Sequence, residues 1–396
     1  MGVVLNLVGV AVLIAFLWLI SADRKAIEWK LVAKGLIAQL VLALIVVKTP
    51  VGIYVIEKIG EGINLFLDQG RAGLTFVFGN LMNAGDYGFI FILHALGNII
   101  FVAAFVSILN YLGVLPYIIK AIGKLVGKVM GTPAIDNFIS VANVFMGSES
   151  VLLIGGYLKY LSKPSLMVVV VSTIASMSSA ILAGYVAIGA KIEYLLIAAS
   201  LIPFGSLVVA HLVFPSREHV DAIDTIEIDR KQSGSNILDA MGNGASDGMK
   251  LVLAISATLI AMISLVSLID LVLSPLSISL REIMGYIFYP IAFLLGLDQS
   301  ATVLAAQILG EKLVINEFIA FDTMINAAGQ LTTHDLMVLT VTVAGFSNLG
   351  TMAQIISVIG TLCPEQKATV AQLVLRGLAA AFSLNLINGM LVGIFA

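Results

Sequence analysis

The chain has 396 residues, of which 60% are hydrophobic and only 11% are charged. A soluble globular protein carries about 45–50% apolar and about 25% charged residues, so this chain cannot cover a water-facing surface. The composition and the net charge of −3 exclude a soluble enzyme, a disordered protein and a nucleic-acid-binding protein. An all-α polytopic membrane protein remains, because open sheets cannot satisfy their backbone polar groups in lipid.

About eight stretches are long and apolar enough to cross a membrane as a helix, which takes about 20 residues. The first stretch lacks the positive start and the small-residue cleavage site of a secretory signal, so we expect it to be retained as a span. The predicted spans are residues 3–20, 32–48, 89–114, 165–190, 194–214, 249–273, 335–360 and 370–395.

Three other apolar stretches carry too many charges for simple spans. Residues 51–69 and 115–130 place charges at helical spacing, which predicts amphipathic helices at the membrane interface. In the second stretch, the stripe of Lys120, Lys124 and Lys128 is predicted to contact lipid headgroups. Residues 276–296 contain Arg281 and Glu282, and we expect them to be interfacial or to span only in part.

Two polar stretches interrupt the apolar pattern. Residues 134–158 place Glu149 among apolar residues, and residues 297–320 do the same with Glu317. A carboxylate at the bilayer centre costs at least about 2.5 kcal/mol, so both groups should be shielded from lipid. Glycine and polar residues near the middle predict a re-entrant hairpin in each stretch, a helix–turn–helix that enters and leaves on one side.

The distribution of Lys and Arg predicts the orientation in the membrane. Arg24, Lys25 and Lys30 follow the first span and indicate that this loop is cytoplasmic. The polar loop 215–236 then also lies inside, and both termini lie outside.

The polar elements occur in the same order in the two halves. Each hairpin is followed by a polar break in the next span, at Ser176 in the first half and at Asn348 in the second. Under the predicted topology the second hairpin enters from the opposite side, so the repeat is inverted. Inverted repeats with discontinuous helices that meet at the midplane are typical of secondary transporters.

The chain is predicted to divide into five segments. Each of two repeat cores contains a hairpin, a broken helix and a further helix. Residues 1–133 form N-terminal scaffold and interfacial helices, 134–214 the first repeat core, 215–248 a cytoplasmic polar loop with an amphipathic helix, 249–296 linking scaffold helices, and 297–396 the second repeat core.

Four sequence elements carry a resemblance to a known family. They are Tyr289–Leu297 (YPIAFLLGL), Lys312–Phe318 (KLVINEF), Gly345–Asn348 (GFSN) and Met146–Glu149 (MGSE). With these elements the sequence resembles the concentrative nucleoside transporter family over nearly the whole chain. The resemblance implies a multi-pass homotrimer of the bacterial cytoplasmic (inner) membrane. It also implies nucleoside import by symport with a cation, with Na⁺ preferred, through elevator-type alternating access of a mobile transport part.

The resemblance further implies site residues, carried over position by position. The substrate contacts fall on Gly147, Ser148 and Glu149 at the base, Ile181 on the face of the base, Phe346 beside the sugar, and Glu317, Asn348 and Thr351 at the ribose hydroxyls. The Na⁺ ligands fall on the Asn143 side chain, the Met146 carbonyl, Ser176 and the Met177 carbonyl. We expect no cofactor other than the coupling ion.

The first hairpin departs from the family pattern. Its tip, Gly147-Ser148-Glu149, is one residue shorter than the Gly-x-Thr-Glu tip of the family. One side chain that reads the base is therefore missing or displaced, which leaves the preference for purines or pyrimidines open.

The chemistry of the residues agrees with a nucleoside ligand. An ionised carboxylate such as that of Glu317 only accepts hydrogen bonds, and it can take them from two vicinal ribose hydroxyls. Such charge-assisted bonds are stronger than neutral ones. Asn348 would add both a donor and an acceptor to the same ribose.

Several alternatives stay open at this point. Protonation of a buried Glu149 would allow H⁺ instead of Na⁺ as the coupling ion. The solute would alternatively be a nucleobase or another polar metabolite. A structural role would instead pair the two glutamates with Lys159, Lys312 or helix ends. The remote alternative is an intramembrane enzyme, although the chain contains no His-Glu-x-x-His pair.

Overall fold

The computed structural model of the protein describes residues 2–216 and 234–396. Within these ranges every regular element is a helix and no β-strand is present, which confirms the predicted all-α class. The predicted cytoplasmic loop 215–236 lies almost entirely outside the described residues.

The N-terminal part begins with two long apolar helices, which an amphipathic helix follows. Thr49 caps this third helix by accepting a hydrogen bond from the Gly52 amide at 3.0 Å, and Pro50 is well suited to its first turn. The helix extends well beyond the predicted stretch 51–69. The α-helices here are α1 (Gly2–Leu19), α2 (Trp29–Lys48), α3 (Pro50–Phe78), α4 (Ala84–Tyr87), α5 (Phe91–His94), α6 (Asn98–Tyr111) and α7 (Val114–Met130).

The next segment contains the first hairpin and a broken helix. The helix predicted over 165–190 is interrupted at residues 176–178, where the backbones of Ser176 and Ser178 are extended. The helices are α8 (Ala134–Met146), α9 (Ser150–Leu153), α10 (Lys163–Ala175), α11 (Ser179–Ala187) and α12 (Ile192–Val213), with 3₁₀ turns over Gly147–Glu149 and Gly155–Tyr160.

The C-terminal part contains the second hairpin and a second broken helix. A capping box formed by Ser279 and Glu282 starts the helix that precedes this hairpin. The helices are α13 (Ile237–Leu273), α14 (Leu280–Leu294), α15 (Gln299–Val314), α16 (Glu317–Asn326), α17 (Thr333–Val343), α18 (Leu349–Leu362) and α19 (Lys367–Gly393). The hairpin consists of α15 and α16, and the broken helix consists of α17 and α18.

Seven helical stretches among the described residues are long and apolar enough to cross a membrane. They correspond to all of the predicted spans except 335–360. That stretch forms the two shorter apolar helices α17 and α18, which a non-helical segment separates.

The core of the protein surrounds the two broken helices. α10 packs against α8, α12 and α19, and every residue from Leu166 to Ala175 is buried. In contrast, α13 packs mainly on α6 and leaves most of its apolar side chains exposed. Large exposed apolar faces of this kind are expected of surfaces that contact lipid or another protein.

The two helix breaks lie directly against each other. Gly345 has a φ of +118°, and a methyl group in its place would collide with the carbonyl oxygen of Ala175. One residue later, the Phe346 amide donates a hydrogen bond to the carbonyl oxygen of Ser176 at 3.0 Å. The unwound segments therefore satisfy part of each other's backbone hydrogen bonding, which lipid cannot do.

We expect Gly345→Ala to destabilise the protein by about 1–3 kcal/mol or more. The added methyl group would collide with the Ala175 carbonyl oxygen, and alanine rarely adopts the positive φ of this position. Thermal unfolding of the purified protein in detergent measures this loss. Gly329→Ala is the matched control, since a methyl group there meets no atom within 4 Å. Equal melting temperatures for the two variants would contradict close contact between the breaks.

Candidate functional site

A cavity of about 1070 Å³ lies between the two hairpins, the broken helices and the wall formed by α6 and α13. Its volume is just above the roughly 300–1,000 Å³ that ligand pockets usually occupy. Seven of the eight residues predicted to contact substrate line this cavity: Ser148, Glu149, Ile181, Glu317, Phe346, Asn348 and Thr351. The structure thus brings together residues from both halves of the chain.

The eighth residue, Gly147, shapes the tip of the first hairpin from behind the cavity. It is buried with a φ of +57°, and a methyl group in its place would lie 2.9 Å from Ser178 Cβ and 3.3 Å from the Phe346 ring. Only glycine fits this close approach and this backbone conformation without strain. The tight turn directs Ser148 and Glu149 into the cavity.

The Glu149 carboxylate is exposed to the cavity, and no described residue pairs with it. Lys159, which the sequence offered as a structural partner, lies instead over the ring of Tyr160 at 4.6 Å. The geometry therefore leaves both oxygens of Glu149 available to a solute.

The second hairpin supplies a carboxylate that is held in a defined position. Asn316 caps α16 by accepting a hydrogen bond from the Ile319 amide at 3.1 Å, so that Glu317 starts the helix. Across the cavity floor, Asn348 Nδ2 donates to Glu317 Oε2 at 2.9 Å. Asn348 Oδ1 in turn accepts from the amide and the hydroxyl of Thr351 at 3.0 and 3.1 Å. These contacts order the three residues that the resemblance assigns to ribose.

Three helices begin at the cavity, namely α11, α16 and α18. Each has an Asn or Ser N-cap, at Ser178, Asn316 and Asn348, and all three caps line the cavity. The N-terminal end of a helix carries a partial positive charge and free N–H groups. The cavity is thus suited to the electronegative oxygens of a polar ligand.

An aromatic cluster that sequence reasoning did not identify packs behind Glu317. Tyr185 is fully buried, with its ring 4.9 Å from that of Phe318 and 4.6 Å from that of Phe321. Its hydroxyl lies near Glu317 but outside hydrogen-bonding geometry. The sequence contained one indication of this cluster, namely a tyrosine within the otherwise apolar α11, one turn after Ile181.

The predicted cation ligand Asn143 lies at the centre of a buried cluster of oxygen atoms. Its Nδ2 donates to Ser172 Oγ at 2.8 Å, and its Oδ1 accepts from Ser150 Oγ at 2.7 Å and from Thr173 Oγ1 at 3.2 Å. Ser176, the other side chain predicted to bind Na⁺, donates a hydrogen bond from its Oγ to the carbonyl oxygen of Thr173 at 3.5 Å. Sequence reasoning missed the three hydroxyls that contact Asn143, because hydroxyl residues are common as glue between membrane helices.

The ends of two helices make this cluster suitable for a hard cation. α8 ends at Met146, whose carbonyl is one predicted Na⁺ ligand. α10 ends at Ala175, two residues before Met177, whose carbonyl is another. The C-terminal end of a helix carries a partial negative charge and free carbonyl oxygens. Neutral oxygen donors of this kind bind Na⁺ in transporters with broken helices.

A buried lysine links the two helix breaks. Lys312 is fully buried, and its Nζ donates to the Thr342 carbonyl oxygen at 2.7 Å and to Asn385 Oδ1 at 2.9 Å. Asn385 also accepts from Ser347 Oγ at 2.7 Å and donates to the Ala175 carbonyl oxygen at 2.9 Å. Lys312 therefore binds backbone and amide groups and makes no ion-pair contact with Glu317.

The other acidic residues of the hairpins do not line the large cavity. Asp136 lies 3.5 Å from His211, and Glu311 lies 3.2 Å from Arg281. On the opposite wall, α13 presents an ion pair of Asp247 and Lys250 at 2.8 Å, which sequence reasoning did not identify.

Three family models together match most of the chain. The model described as the C-terminus of Na⁺ dependent nucleoside transporters matches residues 194–393, and the corresponding N-terminus model matches residues 8–81. A model described as nucleoside recognition matches residues 92–192.

Known proteins are similar over nearly the full length. The nucleoside permease NupC of Helicobacter pylori is 29% identical over 98% of this chain and 97% of its own. The human sodium/nucleoside cotransporter 1 is 28% identical over 98% of this chain and 63% of its own. The structure of CNTnw in an inward-facing, substrate-bound state is 30% identical and matches with a TM-score of 0.95, covering 100% of this chain and 99% of that chain. A CNTnw variant in an outward-facing state also matches with a TM-score of 0.95.

We expect Lys312→Met to lower the stability of the protein by about 1–3 kcal/mol, because two buried acceptors lose their hydrogen-bond donor. Thermal unfolding in detergent measures the change. Lys30→Met makes the same chemical change at an exposed position and should leave the melting temperature unchanged. If both variants have the same melting temperature as the parent, the Lys312 contacts do not stabilise the junction between the breaks.

Proposed function

The chain belongs to the Na⁺-dependent nucleoside transporter family, and we propose that it imports nucleosides in symport with Na⁺. Its family consists of nucleoside transporters, so the protein is a transporter and not an enzyme. One observation carries the proposal. Glu149 and Glu317, one from each hairpin, line the same cavity without forming an ion pair with a described basic side chain.

Glu317 and Asn348 bind the ribose in this proposal. Their 2.9 Å hydrogen bond holds the carboxylate at a fixed angle, and the remaining acceptor capacity of Glu317 is directed to ribose hydroxyls. Thr351 is already ordered against Asn348 and adds a hydroxyl at the same end of the cavity. A prearranged site of this kind reduces the cost of ordering side chains on binding.

The hairpin tip binds the base. Gly147 allows the turn that presents Ser148 and Glu149, and Ile181 supplies an apolar surface for the flat face of the base. Phe346 lies between the tip and the ribose residues, because its ring packs near Gly147 while its backbone leads directly to Asn348.

Coupling of nucleoside uptake to Na⁺ follows from the position of Asn143 and its oxygen cluster next to the tip of the first hairpin. Asn143 lies in α8, which leads directly into the tip, so a Na⁺ ion held there would stabilise the tip in its binding conformation. The positive charge would also offset the charge of Glu149 in a medium of low dielectric constant. Each Na⁺ that moves inward across 100 mV supplies about 2.3 kcal/mol for uptake.

Alternating access requires that the site move as one body against a scaffold. The contacts between the two breaks support such a body, and α6 with α13 supplies a separate wall. That CNTnw has been captured in inward-facing and outward-facing states supports the same cycle for this chain. We assign it an elevator-type mechanism and a homotrimeric state, with the exposed apolar faces against lipid or a neighbouring subunit in a bacterial inner membrane.

We expect Glu317→Gln to raise the KM for uridine at least about tenfold, because a carboxylate contact worth about 1.5–3 kcal/mol becomes a neutral one. Uptake into vesicles of purified protein measures the change. Glu57→Gln on the exposed face of α3 is the control. Equal uptake by Glu317→Gln and the parent would reject the ribose contact. Undiminished binding of 2′,3′-dideoxyuridine by the parent would favour a nucleobase as the substrate.

We expect replacement of Na⁺ by choline at fixed pH to reduce uridine uptake at least about tenfold, because the gradient drives accumulation. Asn143→Ala should raise the Na⁺ concentration that gives half-maximal uptake, whereas Asn80→Ala in an exposed turn should not. Uptake that persists in choline and increases with external acidity would contradict Na⁺ coupling and indicate H⁺.

A further inference from the structure

The amide side chain of Gln354 lies on the cavity wall, next to the tip of the first hairpin. Gln354 is in the second turn of α18, and its Nε2 donates to Ser148 Oγ at 3.3 Å. Both side chains line the cavity that contains the two glutamates. The contact joins residues 206 positions apart and connects the hairpin of one half to a helix of the other.

Gln354 has hydrogen-bonding capacity that no described residue uses. A glutamine amide offers two N–H donors and one carbonyl oxygen with two lone pairs. The contact with Ser148 occupies one N–H, and the side chain is exposed towards the cavity. A side chain that lines a cavity with unused hydrogen-bonding groups is positioned to contact a bound ligand.

The position of Gln354 is related to the ribose residues by the geometry of α18. Asn348 caps this helix, and Thr351 and Gln354 follow at intervals of three residues, so that all three face the cavity. At a rise of 1.5 Å per residue, Gln354 lies about 9 Å along the axis from Asn348. A nucleoside is also an elongated molecule, with the ribose hydroxyls at one end and the hydrogen-bonding edge of the base at the other. Asn348 and Gln354 are therefore placed to contact its two ends.

We propose that Gln354 contacts the base of the bound nucleoside and, with Ser148, takes the place of the side chain that the short hairpin tip lacks. The inference rests on the proposed function, because it requires a nucleoside in the cavity. The Gln354 amide carries an N–H donor and the Oε1 acceptor, the two groups with which Asn or Gln pairs with adenine.

This chemistry sets the selectivity. Uracil offers O4 beside N3–H, hypoxanthine offers O6 beside N1–H, and adenine offers N1 beside its amino group. Each of these edges is complementary to the amide, so Gln354 accepts pyrimidines and purines alike. A ring without a hydrogen-bonding edge gains nothing from it.

The test is uptake by Gln354→Leu, which keeps the approximate size of the side chain and removes its hydrogen bonds. Vesicles of purified protein are given uridine, inosine and the C-riboside of benzene, whose ring has no hydrogen-bonding edge. We expect the KM for uridine and inosine to rise about threefold to tenfold and the KM for the benzene riboside to stay the same.

Gln366→Leu is the matched control, because its Nε2 donates to the Leu158 carbonyl oxygen at 3.3 Å away from the cavity. It should transport all three ligands with the parent KM. An unchanged KM for uridine in Gln354→Leu, or an equal rise for the benzene riboside, would overturn the assignment of Gln354. If the parent takes up neither uridine nor inosine, the proposed function itself is refuted.

Discussion

The two helix breaks are stable because they lie against each other, and the cavity is built around this contact. A helix that breaks within a membrane exposes backbone groups that lipid cannot satisfy. Here the Phe346 amide binds the Ser176 carbonyl, and Lys312 and Asn385 bind further carbonyls at both breaks. Because each break completes the other, neither is expected to form alone. Gly345 is the position where this closeness excludes any side chain.

The breaks turn helix ends towards two different kinds of solute. The C-terminal ends of α8 and α10 converge near Asn143, whose partners are uncharged oxygen atoms. The N-terminal ends of α11, α16 and α18 begin at the cavity. Helix dipoles of opposite sense are therefore suited to a cation at one place and to an electronegative ligand at the neighbouring place. The first hairpin belongs to both places, and the coupling that we propose rests on this shared element.

The two glutamates have unequal surroundings, although they occur in similar sequence contexts. Glu317 is buried, bound to Asn348 and backed by aromatic rings, whereas Glu149 is exposed to the cavity and unpaired among described residues. A fixed carboxylate favours a ligand of constant geometry, such as ribose. A free carboxylate can adjust to different partners, and the tip that carries Glu149 is contacted from α18 by Gln354.

The all-α membrane class and the positions of both hairpins and both breaks could be predicted from the sequence alone, and the family resemblance added Glu149, Glu317 and Asn348 as substrate contacts. These features are local, since apolar runs and the polar residues that interrupt them can be read within a single helix. The contact of Lys312 with Asn385 instead of Glu317, and that of Gln354 with Ser148, became apparent only once the helices were packed together. Those contacts join residues 73 and 206 positions apart, and which side chains meet over such separations depends on how the helices pack, which helical periodicity does not specify.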